Sequence, residues 1–405
     1  MGKTLLIICG GIEAADAARH AKAMGLTVVV SDRDAQAPGF AFADARLIAD
    51  VYDPEQTATA ALRYSQKIRH IDGVICIAAD APVTAALVAQ TLNLPGLPMA
   101  AARLASDKLA MKMSFQRARV AVPWFAEVAT PQELAHITKE RGRNLVIKPI
   151  DSRGSRGVQR VAHVQDLPTA FMLARSHSPS ARVMVEDYLD GPQVSTESIV
   201  IDGVCHTPGF SDRNYEYLER YAPFFVENGG DLPSRLAPDI QQKIKDLVSR
   251  ATHALGITNG TVKGDIVVHK GEPYVIELAA RLSGGFFCSR EIPLNTGVDF
   301  IGAAIKLALG EPITDTQLTP RKQDAVVQRY VFAPAGTVMA VDGADAARAV
   351  PGITDVVVTA RPGDTIAPAG DKRPSVAMVL ACAPTHAEAM TAAQAALARI
   401  TVTMH

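Results

Sequence analysis

Apolar positions in the first hundred residues follow two alternating rhythms. Residues 4–9, TLLIIC, form an unbroken apolar run, the pattern of a strand covered on both faces. Residues 12–25, IEAADAARHAKAMG, change to helical spacing and stop at Gly25, which predicts a helix closed by a glycine C-cap. TVVVSD repeats the strand pattern, IDGVICIAAD supplies a further strand ending at Ala78, and APVTAALVAQTLN a further helix. Strands alternating with helices predict an open, mostly parallel α/β sheet over residues 1 to about 100.

The pattern then shortens. Ser106 is placed to cap a helix, DKLAMKMSFQRAR, and residues from about 120 to 190 read as short strands and helices. VMVEDYLDGPQVSTESIV, residues 183–200, reads as a strand, a turn at Asp190 and Gly191, and a return strand. Longer strands, the helix PDIQQKIKDLVSRATHALG and a glycine-bearing hairpin occupy 190–320. From about 321 the strands DAVVQRYVFA and SVAMVLACA accompany an alanine-rich helix, HAEAMTAAQAALARI. No repeat or low-complexity linker interrupts the 405 residues, a length that predicts two or three domains with ample core.

Composition narrows the function classes. A hydrophobic content of 48% and a mean hydropathy of +0.11 fit a well-packed globule. A net charge of −1 gives no footprint for nucleic acid or anionic lipid as the main partner. The five cysteines have no CxxC spacing, so neither a disulfide nor a zinc framework is expected and a reducing compartment is. The opening apolar run lacks a signal-peptide cleavage pattern, and no apolar stretch reaches about 18 residues; a cytoplasmic location is expected. The turn CGGIEAA lacks the G-x-G-x-x-G spacing, so a dinucleotide site is not expected, although Asp32 ends the second strand where an acidic ribose ligand would stand.

Two stretches carry chemistry. In GDIVVHKGEPYVIELAARLSGG, residues 264–285, a hairpin centred on Gly271 sets Asp265 opposite Glu277. Directly opposed side chains have Cβ atoms about 5 Å apart. Like charges at that distance, beside Ile266, Val267, Val275 and Ile276, call for a compensating cation, and an all-oxygen site suits Mg²⁺ joined to substrate phosphates. The plainer alternative is a hairpin rim with two solvated acids. In NLVIKPIDSRGSRGVQRV, residues 144–161, Lys148 stands in an otherwise apolar strand and needs an anion or a route to solvent. The loop after it holds Ser152, Arg153, Gly154, Ser155, Arg156 and Gly157, with backbone N–H groups and positive charge suited to phosphate; a surface turn with hydrated arginines is the alternative. Lys108, in the first turn of its helix, opposes the helix dipole. Glu186 follows three apolar residues and would otherwise be an edge residue facing solvent.

In order and spacing, these segments resemble the ATP-grasp superfamily over nearly the whole chain, in particular carboxylate–amine ligases of the L-amino-acid ligase type. The likeness rests on SDKLAMK, LVIKP with its glycine-rich loop, VEDYLDGP, the acid pair with IELAARLSGG, and the tail RYVFAPAGTV…PGI…PGD. The resemblance implies an α/β fold with an α+β core. A parallel-sheet domain would span 1–105, an ATP-grasp core 106–320 with a mobile lid at about 120–190, and a small α+β domain 321–405.

The same likeness implies residue roles. Lys108 and Lys148 would contact nucleotide phosphates under a flap running from Ser152 to Gly157. Glu186 would bond the adenine amino group, and the backbone from Asp187 through Tyr188 to Leu189 would read the ring edge. Asp265 and Glu277 would hold Mg²⁺, or Mn²⁺ in its place. Arg281 would steady the carboxylate and the acyl phosphate. Arg213, Glu227, Arg290 and the loop of Ser283, Gly284 and Gly285 are candidate substrate residues. Gln193 stands where the family often has a ribose-binding Glu, and its carbonyl still accepts a hydrogen bond. Ala279 stands where many members place Asn, which leaves the metal count open. The implied reaction is ATP-dependent joining of a small carboxylate to an amine, in a homodimer. The alternatives are a purine-pathway or carboxylase-type enzyme using formate or bicarbonate, and a non-catalytic nucleotide-binding protein.

Overall fold

The computed structural model describes residues 2–367 and 375–405. Its first layer is a four-stranded, wholly parallel sheet in the order Ala45–Ile48, Thr27–Asp32, Thr4–Ile8, Gly73–Cys76. The central strand Thr4–Ile8 is buried at every position, as a strand covered by helices on both faces must be. Ala14, Ala17, Ala18 and Ala21 of the helix Ile12–Ala23 pack on one face, and Ala58, Ala61 and Tyr64 of Pro54–Lys67 on the other.

A second sheet, wholly antiparallel, has eight strands in the order Glu272–Ala279, Gly260–His269, Gln193–Ile201, Val204–Arg213, Gly230–Leu232, Ala325–Phe332, Ser375–Ala383, Ile353–Val358. The last three lie beyond residue 320, so the sheet continues from the core into the C-terminal segment without a break. A separate three-stranded sheet of Thr365–Ile366, Gly336–Asp342 and Thr401–Met404 stands beside it.

The lid region forms its own antiparallel sheet: Phe125–Val128, Val183–Asp187, Leu145–Pro149, Gln159–Arg160. Leu134 and Phe171, from helices Pro131–Arg141 and Leu167–Ser176, pack with Leu145, Ile147, Val183 and Val185 in a core of their own.

Two expectations need correction. Residues 183–200 are not a hairpin. Val183–Asp187 pairs within the lid sheet, whereas Gln193–Ile201 pairs with Gly260–His269 and Val204–Arg213. The Asp190–Gly191 turn is therefore the crossing between two sheets. Nor does Ser106 cap the next helix. Its hydroxyl donates back to Ala102 O at 2.9 Å, and Asp107 caps Lys108–Arg117 by accepting from Ala110 N at 2.8 Å. A carboxylate fills that place as well as a hydroxyl does, and it puts Lys108 at the helix's first position.

Candidate active site

The hairpin of Gly260–His269 and Glu272–Ala279 turns at Lys270 and Gly271, both with positive φ (52° and 81°). That is the backbone a two-residue turn needs to match the strand twist. His269 pairs with Glu272 and Ile266 with Val275; a bulge then shifts the register so that Asp265 faces Glu277. Without the extra residue Asp265 would face Ile276. The bulge thus brings the two carboxylates together, as bulges near active sites commonly re-aim side chains.

Each acid meets cations. Arg213 Nη1 lies 2.7 Å from Asp265 Oδ1, and Lys263 contacts the same oxygen. Burial alone would raise the Asp265 pKa, but Arg213, then Lys263, hold it well below the usual carboxylate range. Lys108 Nζ lies 3.3 Å from Glu277 and donates to Ser152 O at 2.7 Å. The two acids offer oxygen donors only, so they fit a hard divalent cation. Among the described residues no group of three or more His, Cys, Asp or Glu could hold a metal. An ion here would take its remaining ligands from water or substrate oxygens.

Across the cleft Lys148 is buried and ion-paired to Glu186, which is buried too. Lys112, fully buried in helix Lys108–Arg117, reaches the other Glu186 oxygen at 2.8 Å. Burial, more than any neighbour, lowers the Lys112 pKa to about 8. Burial also pushes the Glu186 pKa upward, yet Lys112 and then Lys148 outweigh it and keep Glu186 ionised. Glu186 is therefore no solvent-facing edge residue. Each of its oxygens meets one ammonium group, and Glu186 lines the cleft together with the chain from Asp187 to Leu189.

These groups line a cleft of about 860 Å³. Lys108, Lys148, Glu186, Asp187, Tyr188, Leu189, Gln193, Asp265 and Glu277 meet there with Ser152, Arg153, Gly154 and Ser155 of the loop. Val146, Phe225, Val267 and Ile276 add apolar wall. Gly157 is absent from this lining. At φ +74° it turns the chain, with an added Cβ 3.1 Å from His177 and 3.2 Å from Pro149. Arg153 reaches out of the loop and stacks its guanidinium 3.5 Å from the centre of the Tyr52 ring, in the first domain.

A second cavity of about 1250 Å³ shares Gly154, Ser155, Arg213, Phe225, Asp265 and Glu277 with the first. Glu227, ion-paired to Arg213, lines it, as do Arg281, Gly284 and Gly285. Asp80 fixes Arg281 at 2.7 Å. Two candidates do not belong to this lining. Arg290 turns away to Asp16 at 2.8 Å and Asp355 at 2.9 Å and lies over the Phe286 ring, so its charge is spent joining the first domain to the C-terminal strand. Ser283 is buried and fixes the loop: its N–H donates to Glu197 at 3.1 Å and its hydroxyl accepts from Cys288 N at 3.2 Å.

Sequence reasoning missed four residues. Lys112 carried a readable signal, a lysine four places after Lys108 inside apolar LAMKMSF. Glu13, Asp80 and Glu197 carried none, because their partners lie 86 or more residues away. Asp32, singled out as a possible ribose ligand, spends its carboxylate on the N–H groups of Gly10 at 2.8 Å and Asp34 at 2.9 Å.

Comparison with known proteins agrees with this arrangement. Residues 18–96 match the ATP-grasp N-terminal domain, 105–285 the ATP-grasp domain and 329–405 the L-amino acid ligase C-terminal domain 2. A Sinorhizobium fredii protein, y4rH, is 31% identical over 335 residues, covering 82% of this chain and 68% of that one. The D-alanine–D-alanine ligase of Nitrosomonas eutropha is 26% identical over 235 residues, 56% of this chain and 74% of its own. The crystal structure of L-amino acid ligase from Bacillus licheniformis superposes with a TM-score of 0.84 at 23% identity, covering 100% of this chain and 99% of that one, a likeness of fold. Taken with the opposed acids and the cationic cleft, these matches show that the chain belongs to the ATP-grasp family of carboxylate–amine ligases.

Proposed function

We propose that the protein joins an amino acid, or a related small acid, to an amine through an acyl phosphate, with release of ADP and phosphate. One observation carries this reading. The cleft and the second cavity adjoin: Arg213, Asp265 and Glu277 line both. A phosphoryl group leaving a nucleotide in the first would arrive where a carboxylate in the second could accept it. The second cavity is far roomier than formate or bicarbonate requires, which favours amino-acid-sized substrates over those small acids.

In this reading Lys108 and Lys148 hold the nucleotide phosphates, and Glu186 orients Lys148 and Lys112 toward them. The backbone at Asp187 and Leu189 faces the base, and Gln193 the ribose. Asp265 and Glu277 are the residues that would hold Mg²⁺, which when bound supplies charge neutralisation at the phosphate oxygens. Arg281, steadied by Asp80, offsets charge on the reacting carboxylate and then on the acyl phosphate. Arg213 and Glu227 offer opposite charges to the substrates. The loop at 152–157 closes over the site and keeps water from the acyl phosphate. The amine then attacks the activated carbonyl and phosphate leaves. The domain limits at 105 and 320, the homodimer and the cytoplasmic location carried by the family likeness are part of the same proposal. Among the described residues no helix is long and apolar enough to cross a membrane.

A screen of amino-acid pairs for ATP-dependent phosphate release, with product masses, tests the proposal; formate and bicarbonate are the competing substrates. Lys148→Ala and Glu277→Ala should each abolish ADP formation in a protein that still folds. Normal turnover by either variant, or turnover with the small acids alone, would refute it.

A further inference from the structure

Arg281, Gly284 and Gly285 line the second cavity, and much of the fixing of the stretch 281–286 comes from the first domain. Leu282 N donates to Cys76 O and Ala78 N to Leu282 O, each at 3.1 Å, and Asp80 holds Arg281. At its end two consecutive residues, Gly285 and Phe286, have left-handed backbones (φ 73° and 62°). Glycine tolerates that conformation and phenylalanine resists it, so such a turn persists only where its surroundings hold it. Both amide hydrogens also need acceptors, because burying an unpaired N–H is costly.

One side chain answers both needs. Glu13, in the first turn of helix Ile12–Ala23, accepts from Gly285 N at 2.9 Å through Oε1 and from Phe286 N at 2.8 Å through Oε2. Hydrogen bonds to a carboxylate are the stronger kind. The pairing spans more than 270 residues and joins the first domain to the cavity floor. The floor itself is glycine at 284 and 285, where an added Cβ at 284 would stand 3.2 Å from Glu13 Oε1.

We propose that Glu13 is a positioning residue: through the amides of Gly285 and Phe286 it holds the glycine floor in shape and thereby sets affinity for the acid or amine substrate, not for the nucleotide. This rests on the ligase reading above.

Two variants and two readouts test it. Glu13→Gln keeps the volume but sets an NH₂ group against one of the amides. Glu13→Asp keeps the charge and suits a helix N-terminus, yet is too short to reach both. Hydrogen-exchange mass spectrometry on the peptide spanning 281–288 should show exchange about ten-fold faster or more in either variant. KM for the acid or amine substrate should rise about ten-fold or more, with KM for ATP within about two-fold of the parent. ADP binding reports that each variant is folded, and the aspartate variant decides if the glutamine one is not. Unchanged exchange overturns the proposal. So does a substrate KM that stays level or falls, a fall meaning that Glu13 competes with a substrate carboxylate for those amides. If the parent ligates no tested pair, the ligase reading fails, while the exchange measurement still decides whether Glu13 holds the turn.

Discussion

The ammonium of Lys112 lies 2.8 Å from the carboxylate of Glu186, with side-chain exposures of 0% and 4%. Lys148 meets the same carboxylate from the other side. Two buried cations therefore share one buried anion, and the cluster carries a net positive charge that faces the nucleotide cleft. Removing either kind of member should hurt unequally. Lys112→Met leaves the Lys148–Glu186 pair intact and strands no buried charge, so it should cost less than the roughly 3 kcal/mol at the low end for breaking a buried pair. Glu186→Gln leaves two buried ammonium groups unneutralised and should cost more. Denaturant unfolding of both variants checks the order, and the reverse order would contradict the cluster's charge balance.

Glu197 gives the pH dependence. It is fully buried, and burial, against the hydrogen bonds from Ser283, raises its pKa to about 7. A carboxyl that binds its proton more tightly folded than unfolded stabilises the fold below its unfolded pKa of about 4.5. That contribution is lost as pH rises through about 7. Its size is about 3 kcal/mol. Glu197→Gln keeps an acceptor for the Ser283 N–H and cannot ionise. Its Tm should exceed the parent's at pH 8, and the gap should close toward pH 5. A gap independent of pH would mean that Glu197 does not titrate in this range.

Metal removal should separate catalysis from stability. Asp265 already has Arg213 and Lys263, and Glu277 has Lys108. Both carboxylates therefore keep a cationic partner when no divalent ion is bound. Treatment with a chelator should stop ATP turnover and leave Tm unmoved. A large fall in Tm would indicate a structural metal.

The Arg153–Tyr52 stack joins the loop at 152–157 to the first domain. A cation–π contact at a partly exposed site is worth about 1 kcal/mol, or roughly five-fold in the closed population of the loop. Tyr52→Leu should raise ATP hydrolysis not matched by ligated product, and Tyr52→Phe should not. Equal coupling in both variants would remove Tyr52 from loop closure.

Local patterns were legible where they needed no distant partner. TVVVSD is the strand Thr27–Asp32 and SVAMVLACA the strand Ser375–Ala383, because continuous burial leaves an unbroken apolar run. Lys148 stood out because an ammonium in an apolar strand demands an anion. Where pairing decides, pattern failed. Val183–Asp187 and Gln193–Ile201 look like a hairpin from spacing, yet each finds partners in a different sheet. Arg290 looked like a substrate residue because it follows the glycine loop; Asp16 and Asp355, far away in sequence, claim it.

The chain's own order of residues determined the alternation of strands and helices, the cationic loop and the presence of two acids on one hairpin, since burial and turn geometry act over a few neighbours. Tertiary structure alone decided which charges meet. The bulge beside Asp265, the two lysines on Glu186, Asp80 on Arg281 and Glu13 on the Gly285 amide are choices that local spacing does not fix. Electrostatic and hydrogen-bond energy depends on distance in space, and separation along the chain says nothing about that distance until the sheets have paired.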